Sequence, residues 1–411
     1  MNWYSEDFIR AIPKTDLHVH LDGSLRIPTL IELARERNVE LPSYDESSLL
    51  ETVFKEKYAD LNDYLQGFAY TTAVMTDPEA LERIAYELAE DNILEGVRYL
   101  EVRFAPQLHI RQGLTFEDIL EAVDRGLRKK RDEFNRVIGD DEPMFEYGII
   151  VCAMRFFNEH FSPYYADFIR MHRFSSETEI IKYASLELAR AAVRLRAQSD
   201  IQIVGFDLAG SEYGYPASAH ESSYQYVHKH FLNKTVHAGE AYGPESIFQA
   251  LTDLHADRIG HGLHLFDADM ISDPDIADRD AYLTGLQQFI ADKRITLEVC
   301  LSSNLQTSPQ IPDIAQHSLK KMLAANLSVT FCTDNRLVSH TSVTKEILMA
   351  LDNFEINPRL LKHLIIYGFK RSFFHGDYRS KRDYVRKIID YYGRIETRYG
   401  IGTAETRIGS D

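Results

Sequence analysis

From Ile12 onward the hydrophobic and polar positions alternate between two rhythms. Short apolar runs rich in β-formers recur, and between them lie longer stretches with apolar residues three and four apart, the pattern of repeated βα units. The first run, Asp16–His20, precedes helical spacing over Pro28–Asn38, carried by Leu30, Ile31, Leu33 and Ala34. Residues 42–75, rich in Tyr, Leu and acids, read as a helical excursion over the mouth of the first unit, ahead of a helix from Pro78 to Glu95. In the second strand, Val97–Phe104, alternation sets Tyr99, Glu101 and Arg103 against Leu100 and Val102, and a helix from Phe116 to about Phe134 follows.

The third strand, Phe145–Ala153, is nearly all apolar, as expected where both faces of a sheet are covered. Its helix is Thr178–Ser199. Further strands are predicted at Ile203–Leu208, Lys234–His237, Arg258–Gly262, Ile295–Cys300 and Ser328–Asp334, with an Asp/Pro-rich insertion over Phe266–Ala281 and helices from about Thr344 to the C-terminus. Eight strands with helices between them predict an α/β fold, a (β/α)8 TIM barrel with helical insertions. A doubly wound sheet would need fewer units and a Gly-rich phosphate turn, and no Gly-x-Gly-x-x-Gly follows any strand. No linker or composition step divides the chain, so residues 1–411 are read as a single barrel domain.

Composition narrows the partners more than the fold. A hydrophobic fraction of 44% and a charged fraction of 27% describe an ordinary soluble globule, and a net charge of −17 opposes a polyanion-binding surface. The basic run Arg128–Arg131 sits on a predicted helix flanked by acids, so nucleic acid is not an expected partner. No apolar run approaches the roughly 18 residues of a membrane span. The start, Met1–Asp7, shows neither a basic nor an apolar signal region, and a cytoplasmic protein is expected. Cys152, Cys300 and Cys332, widely spaced and without CxxC, are expected as buried free thiols.

Candidate chemistry collects where such barrels place it, at the C-terminal ends of the strands. The first strand ends in His18, His20 and Asp22; the fourth in Asp207 and Gly210; the fifth in His237 and Glu240; the sixth in His261; the eighth in Asp334 and Asn335. On a strand His18 and His20 point the same way and can grip one ion. That spacing alone says little, because 16 His in 411 residues produce about 0.6 such pairs by chance. A second pair, His228 and His230, falls on a predicted helix, where residues two apart diverge, and is expected at the surface. Taken singly, a strand-end histidine can be merely hydrogen-bonded and Asp334 can cap the next segment. Jointly, three histidines and a carboxylate suit one divalent first-row cation, zinc above others, with a position open for water.

The motifs carry a resemblance that spans nearly the whole chain. Pro13–Ser24, Gly205–Glu212, Thr235–Glu240, Arg258–Gly262 and Cys332–Asn335 together resemble the adenosine deaminase family of zinc-dependent hydrolases, in the same order. The resemblance implies one Zn2+ per chain held by His18, His20, His237 and Asp334, with Glu240 as proton donor and His261 beside the ligands. Asp22 would hold the ribose 5′-hydroxyl, the Gly210 backbone would contact purine N3, and His20 would also face the substrate. The implied reaction is hydrolytic deamination of adenosine or 2′-deoxyadenosine, in which hydroxide on the metal attacks purine C6 while Glu240 protonates N1.

Where many members carry two adjacent aspartates, the second position here is Asn335. An amide can donate to purine N7, so purine recognition survives, while a modified adenine nucleoside such as aminodeoxyfutalosine becomes an alternative substrate. A non-catalytic nucleoside-binding relative is a rival, although every ligand and the acid are present. An amidohydrolase of the same barrel cleaving another C–N or ester bond is a second rival. The zinc deaminases of cytosine and tRNA adenine are disfavoured, since their His-x-Glu and Pro-Cys-x-x-Cys pair is absent. The 42–75 excursion and the Phe266–Ala281 loop are expected to shape the pocket rim. No motif speaks to oligomeric state.

Overall fold

A computed structural model describes residues 4–401. Eight parallel strands follow one another around a single sheet: β1 (Lys14–His20), β2 (Val97–Phe104), β3 (Glu146–Met154), β4 (Ile203–Ala209), β5 (Asn233–Ala238), β6 (Arg258–His261), β7 (Thr296–Val299) and β8 (Ser328–Phe331). The ends meet through a bridge between Val19 and Asp334. There the His20 N–H donates to the Asp334 carbonyl at 2.7 Å and the Asp334 N–H to the His18 carbonyl at 2.8 Å. This is the predicted (β/α)8 barrel.

Helix boundaries follow local chemistry. Thr115 and Ser176 open the helices Phe116–Val137 and Glu177–Gln198 with capping boxes, and prolines at 78, 163, 244 and 358 sit in the first turn of their helices. Residues 42–75 form the expected excursion as three short helices, Glu46–Thr52, Leu61–Leu65 and Phe68–Val74. The last described helix is Tyr378–Tyr399; the expectation of helix to the C-terminus falls, beyond residue 401, outside the described residues, as does Met1–Trp3 of the predicted leaderless start. No helix among the described residues is long and apolar enough to cross a membrane.

Alternation along β1 sends Leu17 and Val19 into the buried layer beneath the helices and leaves Asp16, His18 and His20 to the barrel interior. That interior is ionic: Glu101, Arg103, Arg258 and Glu298 are all fully buried. Arg258 Nε donates to Glu298 Oε1 at 2.6 Å, its Nη2 pairs with Glu101, and its guanidinium lies over the Phe373 ring. The three cysteines are buried free thiols, and His228 and His230 are exposed, both as expected.

Two expectations need correction. The apolar run predicted to continue as strand into Cys300 stops at Val299, and Leu301–Thr307 coils into a helix that turns Ser303 and Asn304 inward. The Phe266–Ala281 loop, anchored on Glu245 through the Ser272 and Asp273 N–H groups, lines no part of the central cavity among the described residues. The rim opposite the excursion comes instead from residues 156–163, after β3. The loop's polar, Pro-containing composition marked it as a surface segment but carried no information about which side of the barrel it covers.

Candidate active site

The strand ends open into a cavity of about 870 Å³. His20, Asp22, Gly210, His237, Glu240, His261, Asp334 and Asn335 all line it, and His18 lies just beneath. Of the candidates read at the strand ends, Asp207 alone stays out of the cavity lining and of the cluster, buried against His237. The outer wall is largely apolar, with Leu61, Leu65 and Phe68 from the excursion facing Phe156 and Phe161.

One ligand atom from each of His18, His20, His237 and Asp334 lies within 4.8 Å of the others. His20 Nε2 is 3.1 Å from His237 Nε2, and Asp334 Oδ1 is 3.4 Å from His18 Nε2 and 3.5 Å from His20 Nε2. A tetrahedral site with bonds of about 2.1 Å has edges of about 3.4 Å, so the spacing fits one cation. His18 Nε2 is buried without a hydrogen-bond partner among the described residues, which an ion would remedy. Burial holds the His20 imidazole well below the ordinary histidine range, leaving a neutral donor. Burial opposes the charge on Asp334, but the neighbouring His18, His261 and His20 rings overcome it and hold the carboxyl well below its ordinary range. Ser303 Oγ donates to Asp334 Oδ2 at 2.6 Å and so leaves Oδ1 for the cluster.

The other nitrogen of two of these histidines is held from below. His18 Nδ1 donates to Glu298 at 2.8 Å and His237 Nδ1 to Asp207 at 3.1 Å, which turns each Nε2 toward the cluster. Arg103 spans both carboxylates, with Nη1 3.0 Å from Asp207 and Nη2 2.9 Å from Glu298. Sequence reasoning placed Arg103 only as a strand residue and passed over Glu298. The one available signal was the strand alternation that sends these charged side chains inward, and it does not separate them from charges at a solvated edge.

Glu240 sits on the turn after β5. The buried Glu212 carboxylate accepts the successive N–H groups of Gly239, Glu240, Ala241 and Tyr242 at 2.7–3.1 Å, together with the Ser246 hydroxyl, which pins that turn. Burial first, then the nearby Asp334 charge, pushes the Glu240 carboxyl up to about 8, so it is an acid at neutral pH. His261 Nε2 lies 3.8 Å from Glu240 Oε1, and burial keeps its ring neutral, well below the ordinary value. His261 and Asp334 both adopt left-handed backbone, φ +65 and +58, a strain of about 1–3 kcal/mol each that surrounding structure must hold and that gathers at functional sites.

Asp22 Oδ1 is buried and unpaired among the described residues, and burial raises its carboxyl to about 7. Gly210, at φ +95, takes a conformation that side-chain-bearing residues rarely adopt. Asn335 donates to the Tyr64 hydroxyl at 2.8 Å, and its second N–H has no partner among the described residues. A Cβ at Gly23 would come 1.8 Å from Asn335 Oδ1, so the amide occupies space that only glycine leaves open.

The chain is also similar to known proteins along most of its length. The adenosine deaminase family model matches residues 13–391. The chain is 37% identical to adenosine deaminase 1 of Streptomyces coelicolor over 91% of its own length and 86% of the relative's. It is 37% identical to an adenosine deaminase of Mycolicibacterium vanbaalenii over 96% and 97%. Among solved structures it is similar to an Arthrobacter aurescens adenine deaminase, with TM-score 0.73, 23% identity and coverage of 93% and 100%. An Arabidopsis N6-mAMP deaminase gives TM-score 0.71, 26% identity and coverage of 93% and 99%. With a match that runs from the strand of the first two histidines through the last barrel helices, the chain belongs to the adenosine deaminase family.

Proposed function

We propose that the protein hydrolyses adenosine and 2′-deoxyadenosine to the corresponding inosine and ammonia, using one zinc ion held by His18, His20, His237 and Asp334. The observation that carries this reading is the placement of the buried Glu240 carboxyl beside His261 in the same cavity as the His/Asp cluster. Three imidazoles and one carboxylate are a donor set that suits zinc. When bound, the cation acidifies water and so supplies a nucleophile at neutral pH.

The remaining work falls to the chain. Asp334, held ionised, accepts the proton of the attacking water, and His261 orients the oxygen toward C6. Attack moves electron density onto ring N1, which takes the Glu240 proton and keeps it in the product; the proton held by Asp334 passes to the amino nitrogen, the C6–N bond breaks to release ammonia, and the C6 hydroxyl proton returns to Glu240 as the carbonyl forms. The second Asn335 N–H suits purine N7 and the Gly210 backbone suits N3. Asp22 fits a sugar 5′-hydroxyl, and a carboxyl there opposes a 5′-phosphate. That favours a nucleoside over the nucleotide named for the Arabidopsis neighbour.

Initial rates measured side by side on adenosine, 2′-deoxyadenosine, adenine, AMP and aminodeoxyfutalosine test the assignment. Adenosine and 2′-deoxyadenosine are expected to lead in kcat/KM, and a preference for any of the other three would overturn it. Asn335→Ala is expected to raise KM for adenosine about tenfold, the worth of one hydrogen bond at about 1.4 kcal/mol, with metal content retained. Gly23→Ala should give the same phenotype by evicting the amide. Unchanged KM in both variants would refute the ring-binding role of Asn335.

A further inference from the structure

His261 faces the reaction through Nε2, and what it can do there depends on which ring nitrogen carries the proton. A chain of hydrogen bonds running back from its Nδ1 decides that. At the far end the Leu319 N–H, in the first turn of the helix Leu319–Ala324, points at His317 Nδ1 at 3.0 Å. A backbone N–H only donates, so His317 Nδ1 is an acceptor without a proton. His317 is buried, and burial pushes its ring down to about 4, so it is neutral with the proton on Nε2. That Nε2 lies 3.2 Å from Asn304 Oδ1 and donates to it. The Asn304 amide is thereby oriented, and its Nδ2, 3.0 Å from His261 Nδ1, donates in turn. His261 Nδ1 must accept, which puts the His261 proton on Nε2.

From this directional chain we infer that Asn304 and His317 are positioning residues that fix His261 as its Nε2–H tautomer, so that it donates a hydrogen bond at the reaction centre and does not accept one. All three side chains are buried, so water cannot substitute for a missing link. A donor at His261 stabilises negative charge on the oxygen that attacks the ring; the opposite tautomer would set a nitrogen lone pair against it. Neither Asn304 nor His317 lines the cavity, so each acts only through His261. The consequence for turnover rests on the deaminase reading above, whereas the tautomer itself does not.

The decisive variant is Asn304→Asp, whose carboxylate can only accept and therefore draws the proton onto His261 Nδ1. Imidazole 15N resonances of zinc-loaded, 15N-histidine-labelled protein report the tautomer, with the His261 signal assigned by its loss in His261→Ala. Wild type is expected to show a protonated Nε2 and a bare Nδ1 at His261, and Asn304→Asp the reverse. The same variant is expected to lose about a hundredfold or more in kcat, in line with what general acid–base groups contribute, with KM changed less than threefold. His317→Phe, which frees the Asn304 amide to flip, is expected to lose about tenfold in kcat and to show both His261 tautomers.

A wild-type His261 protonated on Nδ1 overturns the inference whatever the variants do. So does a reversed tautomer with full turnover, or a loss of turnover in Asn304→Asp with the tautomer unchanged. Should Asn304→Asp fail to fold, the wild-type and His317→Phe spectra decide the matter. If the wild-type tautomer is as stated but adenosine is not deaminated, the substrate assignment fails and the relay stands.

Discussion

Replacing Glu240 by glutamine is expected to leave a folded protein that binds zinc and adenosine with near-native affinity and turns over 10²- to 10⁴-fold more slowly, the range that a positioned acid contributes. The amide has the shape of the carboxyl and can still hydrogen-bond ring N1, but it has no proton to transfer. Zinc should be retained because Glu240 is not one of the four clustered ligands. The turn should persist as well, because Glu212 holds it through the backbone N–H groups of residues 239–242, which the substitution leaves in place. The acid form is the active one, and burial, then Asp334, raises the carboxyl to about 8. The wild-type rate should therefore fall as pH rises through the carboxyl's value. A cation at the cluster offsets the Asp334 contribution, so that limb is expected at or somewhat below pH 8, and Glu240→Gln should abolish it. Full activity in the variant would remove Glu240 from the mechanism.

The largest expected effect on stability belongs to Arg103→Met. The guanidinium is fully buried between Asp207 and Glu298 and also donates to the Leu17 carbonyl at 2.5 Å. Methionine fills much of the volume but leaves two carboxylates in a low-dielectric interior without their shared counter-charge. Glu298 keeps Arg258, the Thr235 hydroxyl and His18; among the described residues Asp207 keeps only His237, the Leu208 N–H and the Cys152 thiol. Removing one member of such a buried network costs about 3–5 kcal/mol. Because Asp207 and Glu298 aim His237 and His18, zinc affinity should fall about 10- to 100-fold as well. Lysine, a single point charge, cannot reproduce the two-armed contact and should rescue poorly. Denaturant midpoints and chelator competition measure the two effects separately. An unfolding free energy within 1 kcal/mol of wild type, with unchanged zinc affinity, would contradict the role given to Arg103.

What was legible in the sequence, and what was not, has a physical basis. The barrel could be read because each strand is a short apolar run whose polar residues collect at its C-terminal end, and Val97–Phe104 coincides with its predicted boundaries. The site could be read for the same reason: His18, His237, His261 and Asp334 each mark a strand exit, where a polar residue is conspicuous. The supports of the site were hidden by that same criterion. Arg103 and Glu298 are inward-facing members of β2 and β7, and their partners lie 195 positions apart in sequence. Nothing local separates such a residue from one at a solvated edge. The turn at Ser303 and Asn304 went unread because Ile295–Cys300 alternates like a strand to its end; the backbone instead turns helical at Leu301, which is what brings Asn304 to His261. Glu212 lay inside a quoted motif, yet its work of gathering four backbone N–H groups depends on a turn that begins 27 residues later.

The most direct test of the central claim couples metal content to chemistry on the whole protein. Protein loaded with one equivalent of zinc, the same protein after chelation, and the chelated protein with zinc restored would each be followed with adenosine. Loss of absorbance at the adenosine band and released ammonia are measured together. Rapid turnover is expected with one zinc per chain, with one ammonia formed per adenosine consumed, near-complete loss of rate on chelation and recovery when zinc returns. A zinc-loaded protein that binds adenosine but releases no ammonia, or a rate that survives removal of the metal, would contradict it.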